Sequence, residues 1–126
     1  MEQKKLHSMT TKFLRLAAWI LITVIVALSI VPPSIRPTTG APHDVEHFSI
    51  FVLAGLAFGL SYRFSHFYQA IGFVVFTATL EVAQLVVPGR HARIGDFIVD
   101  AASSCIGILA AWLVVKALSH RAIASI

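Results

Sequence analysis

Six polar residues recur at helical spacing inside otherwise apolar sequence: Asp44 with His47, Glu81 with Gln84, and Asp96 with Asp100. Residues three or four apart share one face of a helix, so each pair points to one side. Carboxylates beside a histidine suit general acid–base work. Arg90 and Arg93 lie just before the last pair. Guanidinium groups pair in two-pronged fashion with carboxylate or phosphate, so these arginines are the expected counterions of Asp96 and Asp100, or holders of an anionic ligand. Five of the six acidic residues, Asp44, Glu46, Glu81, Asp96 and Asp100, gather in this way. A charge in hydrocarbon costs at least about 2.5–3.5 kcal/mol, so Glu81 and Asp100, which fall inside apolar stretches, need a reason to be there. Each polar position also has a simpler reading. Asp44 and Asp96 suit a helix N-cap, and Glu81 suits an interhelical hydrogen bond.

His43-Asp44-Val45-Glu46-His47 matches the H-x-x-E-H zinc pattern. His43 and His47 would share a face and Glu46 would be the base, with Glu81, His91 or Asp96 as third ligand. Pro42 puts His43 at the very start of a helix, and five residues match easily by chance, so zinc hydrolysis is a minor alternative. No metal and no other cofactor is expected.

The elements that position these residues are four apolar segments: Phe13–Val31, Val45–Tyr62, Phe67–Val87 and Ile94–Leu118. Each is close to the ~20 residues that an apolar helix needs to cross a bilayer. In lipid they must be helices, because open strands would leave backbone groups unpaired. The composition agrees: 57% hydrophobic and 13% charged residues, against roughly 25% charged in soluble domains. The expected fold is a single all-α membrane domain of four transmembrane helices. The first segment is expected to be a retained anchor, since no small-x-small cleavage site precedes Pro32-Pro33.

Lysine and arginine counts orient the chain. Lys4, Lys5, Lys12, Arg15, Arg63, Lys116 and Arg121 fall on one side, and Arg36, Arg90 and Arg93 on the other. That predicts both termini inside (N-in, C-in) and the acidic residues toward the outer surface. The Pro-rich stretch Val31–Pro37 is expected to be an extended outer loop. The net charge of +4 is scattered, with no basic patch interleaved with aromatics, so nucleic acid is not an expected partner. The single Cys105 excludes an internal disulfide and reads as a small buried hydrophobe.

These residues resemble the VanZ-like family of small bacterial membrane proteins. The resemblance rests on Asp44 three before His47-Phe48, on Glu81-x-x-Gln84 in the next helix, on Arg90 in Pro88-Gly89-Arg90, and on Asp96 opening the last helix. It runs from Asp44 to Gly107. Two positions depart: Asp100 stands where the family usually has Asn, and Ser103 where a Gly is common. The resemblance implies a protein of the bacterial cytoplasmic membrane, in a family linked to glycopeptide (teicoplanin) resistance.

The resulting expectation is a polar pocket near the outer leaflet that binds or modifies an envelope lipid or lipid-linked headgroup. Glu81, Asp100, His47 and Asp44 would handle protons or wall the pocket. Arg90, Arg93, Gln84 and Asp96 would bind the ligand. Membrane lipids are expected partners, with a homo-oligomer or a partner membrane protein possible. The alternative is an accessory membrane module in which the cluster is internal glue. A proton-coupled transporter fits less well, because the carboxylates occupy one half only.

Overall fold

The computed structural model describes residues 1–125 and is all-helical. The helices are α1 (Glu2–Ile30), α2 (His43–Ser61), α3 (His66–Gln84) and α4 (Ile94–Ala124). α1, α2 and α4 are long and apolar enough to cross a membrane. α3 is not among them, because Gln69, Thr77, Thr79, Glu81 and Gln84 dilute its apolar residues.

Prolines set three of the boundaries. α1 stops before Pro32-Pro33, and its capping residue Val31 is extended at φ −70°, ψ 132°, as a residue ahead of proline must be. The following stretch is not extended as expected. Ile35 N–H donates to Pro32 O at 3.1 Å, closing a turn in which Pro33 occupies the position that favours proline. α2 opens after Pro42, whose carbonyl accepts from Val45 and Glu46 at 3.0 and 3.2 Å. α3 ends at Gln84, three residues short of the expected Val87. Leu85, Val86 and Val87 donate to the carbonyls three back, the tighter winding common at helix ends, and Pro88 then stops the chain.

α2 packs chiefly against α4, α1 against α2, and α3 against α4. The α2–α4 seam is built from small residues. A Cβ at Gly55 would strike the Ser104 carbonyl, one at Gly107 would strike Val52 O and Leu56 N, and one at Gly59 would strike Ala111. The two backbones therefore touch, as in small-xxx-small helix pairs. Both helices start at the same end of the bundle, so they run parallel, with α1 and α3 opposed to them. Ile25, Phe51, Ala54, Phe73, Leu80 and Ile108 form a thin core. Large apolar side chains such as Trp19, Leu53, Val75 and Leu113 lie on the outside.

α1 and α4, at 29 and 31 residues, outrun the 19 residues of α2 and α3 by about 15 Å or more at 1.5 Å per residue. The surplus of each is exposed and lies at the end away from Glu81, Asp96 and Asp100.

Candidate functional site

The polar residues converge where α1 ends and α2 and α4 begin. His47 Nδ1–H donates to Asp100 Oδ1 at 2.8 Å, and these side chains are 12% and 8% exposed. One turn earlier, His43 Nε2 lies 3.6 Å from Asp96 Oδ2. The two histidine rings are 4.2 Å apart. Arg36 Nη1 approaches His43 Nδ1 at 3.4 Å, so a chain runs Arg36, His43, Asp96 beside the tighter pair. The spacing explains the pairing. His43/His47 and Asp96/Asp100 are both four apart, and parallel helices in contact bring equal spacings into register.

The expected counterions are thus replaced. Histidines, not arginines, face Asp96 and Asp100. Arg90 instead reaches α1: Nε donates to Val31 O at 3.0 Å, and Nη2 to Leu28 O at 2.5 Å and Val31 O at 2.9 Å. The last carbonyls of a helix have no partner within it and carry partial negative charge, so a guanidinium there both bonds and neutralises. Burial, and secondarily Arg36, lower the Arg90 pKa from the ordinary arginine value, but the group stays charged at neutral pH. The exposed Arg93 contributes its backbone N–H, which donates to Glu81 Oε2 at 3.3 Å.

Glu81 is accordingly not in the interior of an apolar helix. It lies in the last turn of α3 and ties that end to the start of α4. Gln84, one turn on, is buried. Asp44 and Asp96 are not N-caps: Pro42 and Arg93 hold those positions, without side-chain capping bonds. Asp44 is exposed on the first turn of α2 and lines neither of the two clefts beside the cluster. Ser103 and Ser104 are buried, and their hydroxyls donate to Val99 O and Asp100 O within α4, which makes them packing residues. Cys105 is half-buried rather than buried.

The H-x-x-E-H set disperses. Glu46 turns away from the histidines to the α1–α2 loop, where Oε1 accepts from Thr39 N and Oγ1 at 2.8 and 2.6 Å, and Oε2 lies 3.4 Å from Arg36 Nη2. Among the described residues, no three His, Cys, Asp or Glu side chains gather as a metal site.

Two clefts flank the cluster. The first, about 470 Å³, lies between α1 and α2 under the α1–α2 loop. Its walls are mainly apolar, with Leu21, Ile25, Ile50 and Leu53 among them, and its polar end holds Arg36, Arg90, Glu46 and His47. With Nδ1 committed to Asp100, His47 keeps Nε2 for a ligand. The second, about 350 Å³, lies at the loops and takes in His43, His91, Gln84, Asp96 and Arg93. Arg36 and Arg90 line both. Arg36 Nε is buried without a hydrogen-bond partner.

The sequence reading missed Arg36 and the Glu46–Thr39 clasp. The matched i,i+4 spacing of histidines and aspartates was visible, but only the contact between α2 and α4 turns it into a pairing. Gly55-xxx-Gly59, a helix-contact signal, was visible too. Nothing in the sequence marks Arg36, whose position depends on how the loop folds back.

Comparison with protein-family models, with curated proteins and with solved structures finds no match.

Proposed function

We propose that this chain is a four-span protein of the bacterial cytoplasmic membrane, N-in and C-in, that binds an envelope lipid or lipid-linked headgroup at its outer end. The observation that carries this reading is the α1–α2 cleft. Apolar walls suit an acyl or prenyl chain, and two arginines at the polar end suit an anionic head. Arg36 is the better placed of the two, because Arg90 already spends three N–H contacts on α1. His47, oriented by Asp100, would move a proton if the bound headgroup is modified. The resemblance to the VanZ-like family, with its link to glycopeptide resistance, points to the same compartment. The positive-inside rule counts seven lysines and arginines against three and supports the orientation. α3 would cross as the fourth span with Gln69, Thr77 and Gln84 buried within the bundle.

Native mass spectrometry of the detergent-purified chain, incubated with phosphatidylglycerol or with a polyprenyl phosphate, tests the reading. Arg36→Ala should lose the bound lipid, whereas Arg121→Ala should keep it. Equal retention by both variants, or no retention by the wild-type chain, would refute it.

An accessory role is the second reading. It is favoured by one observation: Glu46, Glu81, Asp100 and Arg90 are all bonded to other parts of the chain. It predicts co-purification with another envelope protein that survives Arg36→Ala.

A further inference from the structure

α1 begins well before its apolar part. The helix is continuous from Glu2, whereas the apolar run starts at Phe13. The stretch Glu2–Lys12 is thus an arm about 16 Å long at 1.5 Å per residue. It is not uniformly polar. Leu6, Met9, Phe13 and Leu16 follow one another at intervals of three and four, which sets them in one stripe about 80° wide. All are exposed, Leu6 by 67% and Met9 by 61%. The stripe runs on into Ile20 and Val24, which are exposed as well. It is therefore a continuation of the side that α1 turns away from the bundle.

Lys4, Lys5 and Lys12 occupy the adjoining sector of the arm and are also exposed. Among the described residues none of these lysines has an ion-pair partner. The far side of the arm is tied down. Arg63 Nη2 donates to His7 Nε2 at 3.2 Å, the only direction open to a guanidinium. His7 thus fixes the arm beside the α2–α3 turn with its apolar stripe outward.

An apolar stripe flanked by lysines is the pattern of a helix seated in an anionic interface. Acyl chains take the apolar groups there and phosphates take the ammonium groups. A second copy of this chain fits poorly. The same end of the molecule carries Arg63, Lys116 and Arg121 besides the three lysines, with Glu2 the one acidic side chain to oppose them, so two such ends repel.

We propose that Glu2–Lys12 docks on the anionic headgroup layer of the bilayer that the bundle crosses. Leu6 and Met9 enter the acyl boundary, and Lys4, Lys5 and Lys12 meet lipid phosphates. α1 reaches this seat by tilting toward its stripe, the usual adjustment of a helix longer than the hydrocarbon. The contact is with the surface as a whole, not with one retained lipid. It rests on the chain's lying in a membrane, but neither on the outer headgroup site nor on which side the termini face.

The test uses the full chain with Cys105→Ala and Met9→Cys, labelled at the introduced thiol with nitrobenzoxadiazole, whose emission moves to the blue on leaving water. In nanodiscs containing phosphatidylglycerol the emission should lie to the blue of that in pure phosphatidylcholine nanodiscs. The difference should vanish in molar salt, where screening cuts charge interactions to about 3 Å. The same label at Ser8→Cys, on the lysine side, should shift less. Each lysine is worth about fivefold in docking, so Lys4→Gln, Lys5→Gln and Lys12→Gln together should abolish the shift with circular dichroism unchanged. Arg36→Ala should keep it, which separates this surface from the outer cleft. Equal emission in the two lipids, equal shifts at the two labels, a shift that survives the triple replacement or a shift lost with Arg36→Ala overturns the proposal. So does a blue shift in detergent alone that grows with protein concentration, which would put a second copy on the stripe.

Discussion

His47 and Asp100 stabilise the bundle chiefly by satisfying each other. A carboxylate 8% exposed needs its partner, and removing one member of a buried pair costs about 3–5 kcal/mol. His47→Ala should therefore lower thermal stability in detergent sharply. His47→Leu combined with Asp100→Leu should recover most of the loss. Asp100→Asn should cost less than His47→Ala, since the amide still accepts from His47 Nδ1 without a charge to strand. A double-mutant cycle read by thermal unfolding checks all three. At this scale the sequence was half legible. That Asp100 is not an N-cap followed from its distance into the helix. Its partner did not, because sequence proximity to Arg90 and Arg93 favoured the wrong counterion. The winning contact joins residues 53 apart across a helix seam. The Arg90 side chain found better acceptors in the unpaired carbonyls at the end of α1.

The α2–α4 seam depends on glycine at two places where backbone meets backbone. Gly55→Val and Gly107→Val should each cost more than the about 1–3 kcal/mol usual for an overfilled core, because a backbone carbonyl cannot swing aside as a side chain can. Gly72→Ala is the contrast. Its Cβ has open space, so alanine should gain up to about 1 kcal/mol through helix propensity. Thermal melts of the three variants, compared with the parent, settle the ordering. Arg90→Lys belongs here too: an ammonium cannot span Leu28 O and Val31 O as a fork does, so the end of α1 should exchange its amide hydrogens faster. Helix number and the proline boundaries were readable from the sequence. The early end of α3 was not, since Leu85–Val87 are as apolar as the helix before them and only the turn toward Pro88 separates them. The partner of the Ser103–Gly107 face on α2 was not readable, because a packing face shows its small residues without naming the helix it meets.

At the scale of the whole chain, orientation makes the sharpest prediction. In a Cys105→Ala background, Thr38→Cys should react with a membrane-impermeant maleimide in intact cells. Ser65→Cys should react only after the cells are permeabilised. The reverse pattern would place the acidic cluster at the inner surface and move the headgroup site to the other leaflet. Composition and the lysine and arginine distribution carried the membrane assignment from the sequence alone. They did not carry the two arginine-lined clefts, over which the α1–α2 loop folds back, held by Glu46 and Thr39.

α2 packs mainly on α4 and only lightly on its sequence neighbour α3. During synthesis, α2 therefore leaves the ribosome well before the helix that completes it. In that interval its glycine strip and the Asp100-facing side of His47 lack their partner helix, and α3 cannot cover them. Quality control has a natural reading point there. Chains stopped after α3 should be recognised and degraded, while chains that have completed α4 close the seam and escape.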